Sequence, residues 1–142
     1  MVDIYSSPNF ETEFKPEVIE RGNKVKLVIA DVDGVLTDGS IYKAIDPATL
    51  ADIEFKNFSI VDGAGIALAR LLDFRVAIIS GRPSLATDAR VKELKIEDVY
   101  TGSLNKMTPY EDLKSKYSLN DEDIAFIAVS YTHLTLPTIL LV

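Results

Sequence analysis

The sequence has no cysteine, which excludes a disulfide framework, thiol catalysis and a cysteine-ligated metal together. It has no apolar run of the roughly 20 residues that a bilayer-spanning helix needs. The opening Met1-Val2-Asp3-Ile4 lacks both the basic n-region and the apolar h-region of a secretory signal, so a cytoplasmic location is expected. Positive charge is in deficit: 15 Lys and Arg stand against 22 Asp and Glu, a net charge of −7. That field repels nucleic acid and anionic membrane, and neither is expected as a partner. An anionic small molecule stays possible only where backbone N–H groups, a helix N-terminus, a lysine or a bound cation outweighs the global repulsion. Internal repeats and low-complexity segments are also missing.

What is present is the balance of an ordinary globular domain, 47% hydrophobic and 26% charged over 142 residues, enough for one domain with a real core. Residues 1–24 are polar and mixed and read as a leader with one short helix at 16–21. Val25-Lys26-Leu27-Val28-Ile29-Ala30 is short, apolar and β-branched, the pattern of a buried strand, and it runs into a segment dense in turn formers from Asp31 to Gly39. Two modest strands, 40–43 and 52–58, are separated by a Pro-containing link and can pair as a hairpin. A helix follows at 62–72, with Ile66, Leu68, Ala69 and Leu72 for the core. Strands are expected at 75–80, 98–100 and 123–128, and helices at 84–94 and 109–117. Short apolar strands alternating with helices predict an α/β fold, a parallel sheet with helices on both faces.

In such folds ligands sit beyond the carboxyl ends of the strands. Polar functional residues fall there three times: Asp31 and Asp33, then Ser80, then Lys106 in a loop. Two carboxylates at i, i+2 after a buried strand can share a pocket, one as nucleophile and one as the acid that protonates a leaving oxygen. They also suit Mg²⁺, which takes oxygen ligands from one or two carboxylates plus a substrate phosphate. Taken alone, the pair is equally a solvated turn. Ser80, before Gly81, can donate to a phosphate oxygen or merely close a strand-to-helix turn. Lys106 can offset a crowded phosphate or be a surface lysine.

The order Asp-x-Asp-Gly, Ser-Gly-Arg, then Lys is the pattern of the haloacid dehalogenase (HAD) superfamily. Four segments carry a closer resemblance: Asp31-Val32-Asp33-Gly34-Val35-Leu36-Thr37-Asp38-Gly39, Asp62-Gly63-Ala64-Gly65-Ile66, Ile79-Ser80-Gly81-Arg82 and Tyr110-Glu111-Asp112-Leu113-Lys114. Together they resemble the 3-deoxy-D-manno-octulosonate 8-phosphate (KDO 8-phosphate) phosphatases, a capless subfamily acting on phosphates of keto sugar acids in lipopolysaccharide biosynthesis. The likeness runs from about Lys24 to Ala128. It implies a HAD-like, Rossmann-type three-layer α/β/α core over 25–128. Asp31 becomes nucleophile and magnesium ligand, and Asp33 general acid/base and magnesium ligand through its carbonyl. Ser80, Gly81 and Lys106 become phosphate binders, and Lys56 and Asp62 contacts to substrate. The 40–58 hairpin becomes a flap through which subunits form a homotetramer. Lys56 and Asp62 are otherwise explained as a flap-surface charge and a helix N-cap, and for Asp62 the cap is preferred.

Two departures stand out. Asn105 occupies a loop position that is usually acidic in the family. After Ile127 the family continues with Gly-Asp-Asp, another strand and a closing helix, whereas this chain reads Ala128-Val129-Ser130-Tyr131 and carries no carboxylate after Asp123. Residues 129–142 resemble no part of the family and read as a non-native end. His133, the only histidine, lies within them and is discounted as a catalyst. An impaired metal site is therefore expected. The alternatives are a non-catalytic homologue serving as a binding or structural subunit, and a receiver-like phosphoacceptor domain. The latter fits poorly because no aspartate ends the 75–80 strand.

Overall fold

The computed structural model describes residues 15–129. Residues 1–14 of the expected leader and all but Val129 of the expected tail, His133 included, lie outside them. The first helix, α1, spans Pro16–Gly22, with Pro16 at its first turn, where the missing N–H costs nothing. Strand β1 is Leu27–Ala30, shorter than 25–30 because the Val25 N–H turns back to the Gly22 carbonyl at 3.1 Å.

Four parallel strands form the main sheet. With β4 at Arg75–Ile79, β5 at Asp98–Tyr100 and β6 at Ile124–Ile127, the order across it is β5-β4-β1-β6. Ala30 pairs with Ile78 on one side and Ile127 on the other. Period-2 alternation divides the core into two faces. Leu27, Ile29, Ala77, Ile79, Ile124 and Phe126 pack with Tyr110 and Leu113 of α4 (Met107–Lys116). Ala30 and Ile78 face the other way, toward Val91 of α3 (Leu85–Glu93). The result is the expected three-layer α/β/α arrangement. Chain connections run outward from β1 through β4 to β5 and then return across the sheet to β6, so the winding reverses beside β1. Ligand sites of open α/β sheets lie at such a reversal.

Helix α2, Ile60–Leu71, corrects two expectations. Its N-cap is Ser59, whose hydroxyl accepts from the N–H groups of Val61 (3.1 Å) and Asp62 (3.3 Å). Asp62 therefore stands in the first turn, where a carboxylate suits the helix dipole, and is not the cap. Leu68 and Leu72 are exposed at 57% and 71%, so they do not belong to the core. Gly63 selects the buried face: a Cβ there would lie 2.5 Å from Arg90 Nη2 and 3.4 Å from Leu94. That close approach of α3 turns Gly63 and Ile66 inward and leaves Leu68 outside.

The hairpin stands apart from the main sheet. Strands β2 (Tyr42–Ile45) and β3 (Asp52–Phe55) pair antiparallel, Tyr42 opposite Phe55 and Ile45 opposite Asp52. Asp46 shapes the connection by accepting from the Ala48 N–H at 2.9 Å and the Thr49 hydroxyl at 2.7 Å. At the root, a single bridge joins Thr37 to Phe58. Among the described residues no helix is long and apolar enough to cross a membrane.

Candidate active site

Asp31 follows the last residue of β1, and its N–H donates to the Ile127 carbonyl at 2.9 Å, which extends the sheet bonding one residue past the strand. The carboxylate is thereby held at the carboxyl edge, largely buried. Its Oδ1 accepts from the Val32 N–H at 2.7 Å, and its Oδ2 is paired with the Lys106 ammonium. Lys106 stands at the N-cap position of α4. The pair thus joins residues 75 positions apart, one just past β1 and one at the start of α4.

The turn after Asp31 is built by Thr37. Its hydroxyl donates to the Val32 carbonyl (3.3 Å) and accepts from the N–H groups of Gly34 (3.2 Å) and Gly39 (3.3 Å). Gly34 sits at φ 82°, a left-handed conformation that favours glycine. The turn leaves the Asp33 carboxylate about one-third exposed. Asp33 Oδ1 accepts from the Lys56 Nζ at 2.6 Å.

Lys56 is therefore no flap-surface charge. Its side chain is only 3% exposed, because it follows β3 at the root of the hairpin and points under the flap. Two residues earlier, on the same side of the strand, Glu54 pairs with the Arg82 guanidinium and lies 3.9 Å from Lys56 Nζ. Three carboxylates, Asp31, Asp33 and Glu54, thus face three cations, Lys56, Arg82 and Lys106. Glu54 escaped the sequence reading, although the alternation Ile53-Glu54-Phe55-Lys56 already sets it on the lysine's side.

Ser80 follows β4 and is fully buried. Its hydroxyl is used within its own turn, donating to the Arg82 carbonyl (3.2 Å) and accepting from the Arg82 N–H (3.3 Å). It makes no hydrogen bond to Asp31 or Lys106. The chain around it is anchored to the next loop, with Ser80 N–H on the Tyr100 carbonyl at 2.8 Å and Ser103 N–H on the Ser80 carbonyl at 3.0 Å. Gly81 has only a Leu104 methyl, 3.7 Å from its would-be Cβ.

The described residues do not fit a magnesium ion. Each carboxylate of the Asp31–Asp33 pair is occupied by a lysine, and no group of three or more acidic or histidine side chains among them is arranged to hold a metal ion. Val129, where the family resemblance implies an acid, instead lays its apolar side chain over Gly34, with Cγ2 3.0 Å from where a Cβ would stand.

Asp121 is held below its usual range first by Lys114 and then by the Tyr110 hydroxyl, and Asp123 first by Lys26 and then by the Asn120 N–H. The Tyr100 hydroxyl is pushed up to about 12, first by its hydrogen bond to Asp112 and then by burial.

No family model matches the chain. It is similar to the 3-deoxy-D-manno-octulosonate 8-phosphate phosphatases of Escherichia coli K12 (37% identity over 111 residues, 78% of this chain and 56% of that protein) and of Yersinia pestis (35% identity over 111 residues, 78% and 57%). The chain thus spans little more than half the length of these relatives. Among solved structures, the Yersinia pestis phosphatase superposes with a TM-score of 0.73 at 34% identity, covering 80% of this chain and 58% of that one. The Moraxella catarrhalis phosphatase, solved with magnesium, phosphate and KDO, gives 0.72 at 31% identity, with 81% and 63% covered. A cobalt-bound form of the Haemophilus influenzae phosphatase gives 0.66 at 36% identity, with 76% and 60% covered.

Proposed function

The chain belongs to the HAD superfamily, within its family of KDO 8-phosphate phosphatases, and on that premise we propose that the protein is a phosphomonoesterase for a keto sugar acid phosphate such as KDO 8-phosphate. The observation that carries this reading is the Asp31–Lys106 pair, a carboxylate and an ammonium placed together at the carboxyl edge where the winding reverses. Asp31 attacks phosphorus, the bond to the sugar oxygen breaks, and Asp33 gives that oxygen a proton, leaving an aspartyl phosphate. Asp33 then takes a proton from water, which attacks the same phosphorus and returns Asp31 with inorganic phosphate. Lys106 and the Ser80–Gly81 turn hold the non-bridging oxygens, for which the Ser80 hydroxyl turns away from the Arg82 carbonyl. Lys56 stands beside Asp33 and is assigned the contact to the rest of the substrate.

Magnesium belongs to this reading as the cofactor of the complete site, with Asp31 and the Asp33 carbonyl as ligands. The described residues supply no more than these, a poor cage for the ion, so the chain as it stands is expected to turn over little. We assign 25–128 to the phosphatase core, 40–58 to its flap and 129–142 to a segment foreign to the family. The flap carries exposed Ile41, Tyr42, Ile45, Leu50, Ile53 and Phe55, more apolar surface than an isolated hairpin leaves open, which supports a homotetramer assembled through it. The setting is cytoplasmic, in lipopolysaccharide biosynthesis. A second reading, a non-catalytic homologue that binds without hydrolysis, is favoured by Val129 lying where an acid is expected.

The test is a phosphatase assay against KDO 8-phosphate, with and without Mg²⁺, on the chain itself and on a version whose residues from Ala128 onward are replaced by a family-type ending. Magnesium-dependent turnover by the second version, lost in Asp31→Asn, is expected. Turnover that survives Asp31→Asn rejects the nucleophile, and equal turnover by both versions rejects the impaired metal site.

A further inference from the structure

Glu54 has no part in the reaction described so far, yet its surroundings are unusual. An ammonium as deeply buried as that of Lys56, 3% exposed, must be kept paired. Two carboxylates are within reach: Asp33 Oδ1 at 2.6 Å and Glu54 Oε1 at 3.9 Å. The Arg82 guanidinium holds the other Glu54 oxygen, Oε2. Oε1 is itself buried and has no hydrogen-bond partner among the described residues, a costly state for a carboxylate oxygen.

We propose that Glu54 is a positioning residue that provides Lys56 with a second station, resting on the reading of Asp33 as the acid/base. Held at 2.6 Å by Lys56, the Asp33 carboxylate is not free to turn to a reacting oxygen. When it turns, the ammonium moves to Glu54 Oε1, and no buried charge is left unpaired. The move is short. Closing 3.9 Å to the ~2.8 Å of a charge-assisted hydrogen bond asks about one ångström of a flexible four-carbon stem. Arg82 keeps the receiving carboxylate fixed and ties it to the turn that carries Ser80. Glu54 thus acts on the reaction through Lys56 and Asp33, without touching substrate.

The experiment uses the chain as it exists, labelled with ¹⁵N-lysine, in four forms: parent, Asp33→Asn, Glu54→Gln and the double variant. The Lys56 ammonium signal is assigned by its loss in Lys56→Arg. In Asp33→Asn the signal shifts but stays protected from hydrogen exchange, because Glu54 receives the ammonium. In Glu54→Gln it stays close to the parent position, because Asp33 still holds it. In the double variant protection is lost, and the urea midpoint falls by more than the two single shifts added together. Glu54→Asp, which keeps the charge, retains part of the protection in the Asp33→Asn background. If the Asp33→Asn signal exchanges as fast as that of the double variant, or if the midpoint shifts merely add, the second station does not exist. A structural role for Glu54 alone would produce that additive result. Because the cycle is read without substrate, its failure is separate from failure of the phosphatase reading, which shows as no turnover by the chain with the family-type ending.

Discussion

Replacing Lys106 by Met removes the ammonium and keeps most of the stem, which isolates the contribution of charge at the candidate nucleophile. The Asp31 side chain is 12% exposed and that of Lys106 16%, so the pair is far from a solvated surface bridge worth about 0–1 kcal/mol. After the change, Asp31 keeps one neutral donor, the Val32 N–H at 2.7 Å, and little water. Stranding one member of a buried pair costs about 3–5 kcal/mol. The residual exposure and the surviving N–H place Lys106→Met at the low end, about 3 kcal/mol. With a urea m-value of about 1.5 kcal/mol per molar, the midpoint then falls by about 2 M. Asp31→Asn alone costs less, about 1 kcal/mol, because a lysine stem can carry its charge outward to water. Adding Asp31→Asn to Lys106→Met should therefore recover most of the loss, a coupling that a urea double-mutant cycle reads directly. If Lys106→Met unfolds at the parent midpoint, the ammonium is solvated in solution and the pairing argument fails, whatever the enzyme assay gives.

Deleting 40–58 and closing the gap with a short Gly-Ser link should yield monomers by light scattering, because the exposed apolar residues of the flap leave with it; an unchanged assembly size would refute assembly through the flap. Stability should fall as pH drops below about 4. Asp121 and Asp123 lie below the usual carboxylate value of 3.8 in the folded chain, so the stability they add is fully present above that value and is lost as pH falls through the lower, folded one. A melting temperature that does not fall between pH 5 and pH 2 would contradict these pairings.

The outline of the fold was legible because its strands are short, apolar and buried, and each ends in residues of a different kind. Asp31 and Lys106 could be associated across 75 positions because strand ends of a parallel sheet share an edge, whatever lies between them. Lys56 was half legible. Its proximity to the site followed from the family resemblance, but its depth under the flap did not, since lysines are usually exposed and nothing local marks this one as buried. The Glu54–Arg82 pair joins a hairpin to a strand-end turn 28 residues away, and no periodicity reports such a contact. Leu68 and Leu72 misled because α2 is apolar on more than one side; the absence of a side chain at Gly63 decides which side is buried. Ser59 supplied the cap by lying one residue before the first helical turn, a position that pattern reading placed three residues too late.

The site has a property that no single residue carries: its charges are satisfied internally. Asp31 is held by Lys106, Asp33 by Lys56, and Glu54 by Arg82. A phosphate dianion entering this arrangement meets no unpaired cation among these residues and must take Lys106 from Asp31 to be held. That exchange leaves the carboxylate beside the arriving negative charge, an unfavourable juxtaposition at a site of low exposure. A divalent cation would remove the difficulty by neutralising the carboxylates and the phosphate together, and further carboxylates near the Asp31–Gly34 turn would hold it there. Val129 meets this turn with two methyl groups, which add apolar contact but no charge. The ion pairs and the valine therefore have one physical consequence in common. The residues we propose as nucleophile, acid and phosphate holder stand at one edge of the sheet, and their pairing with lysines, together with the missing charge at Val129, is what supports the proposal that this chain turns over little.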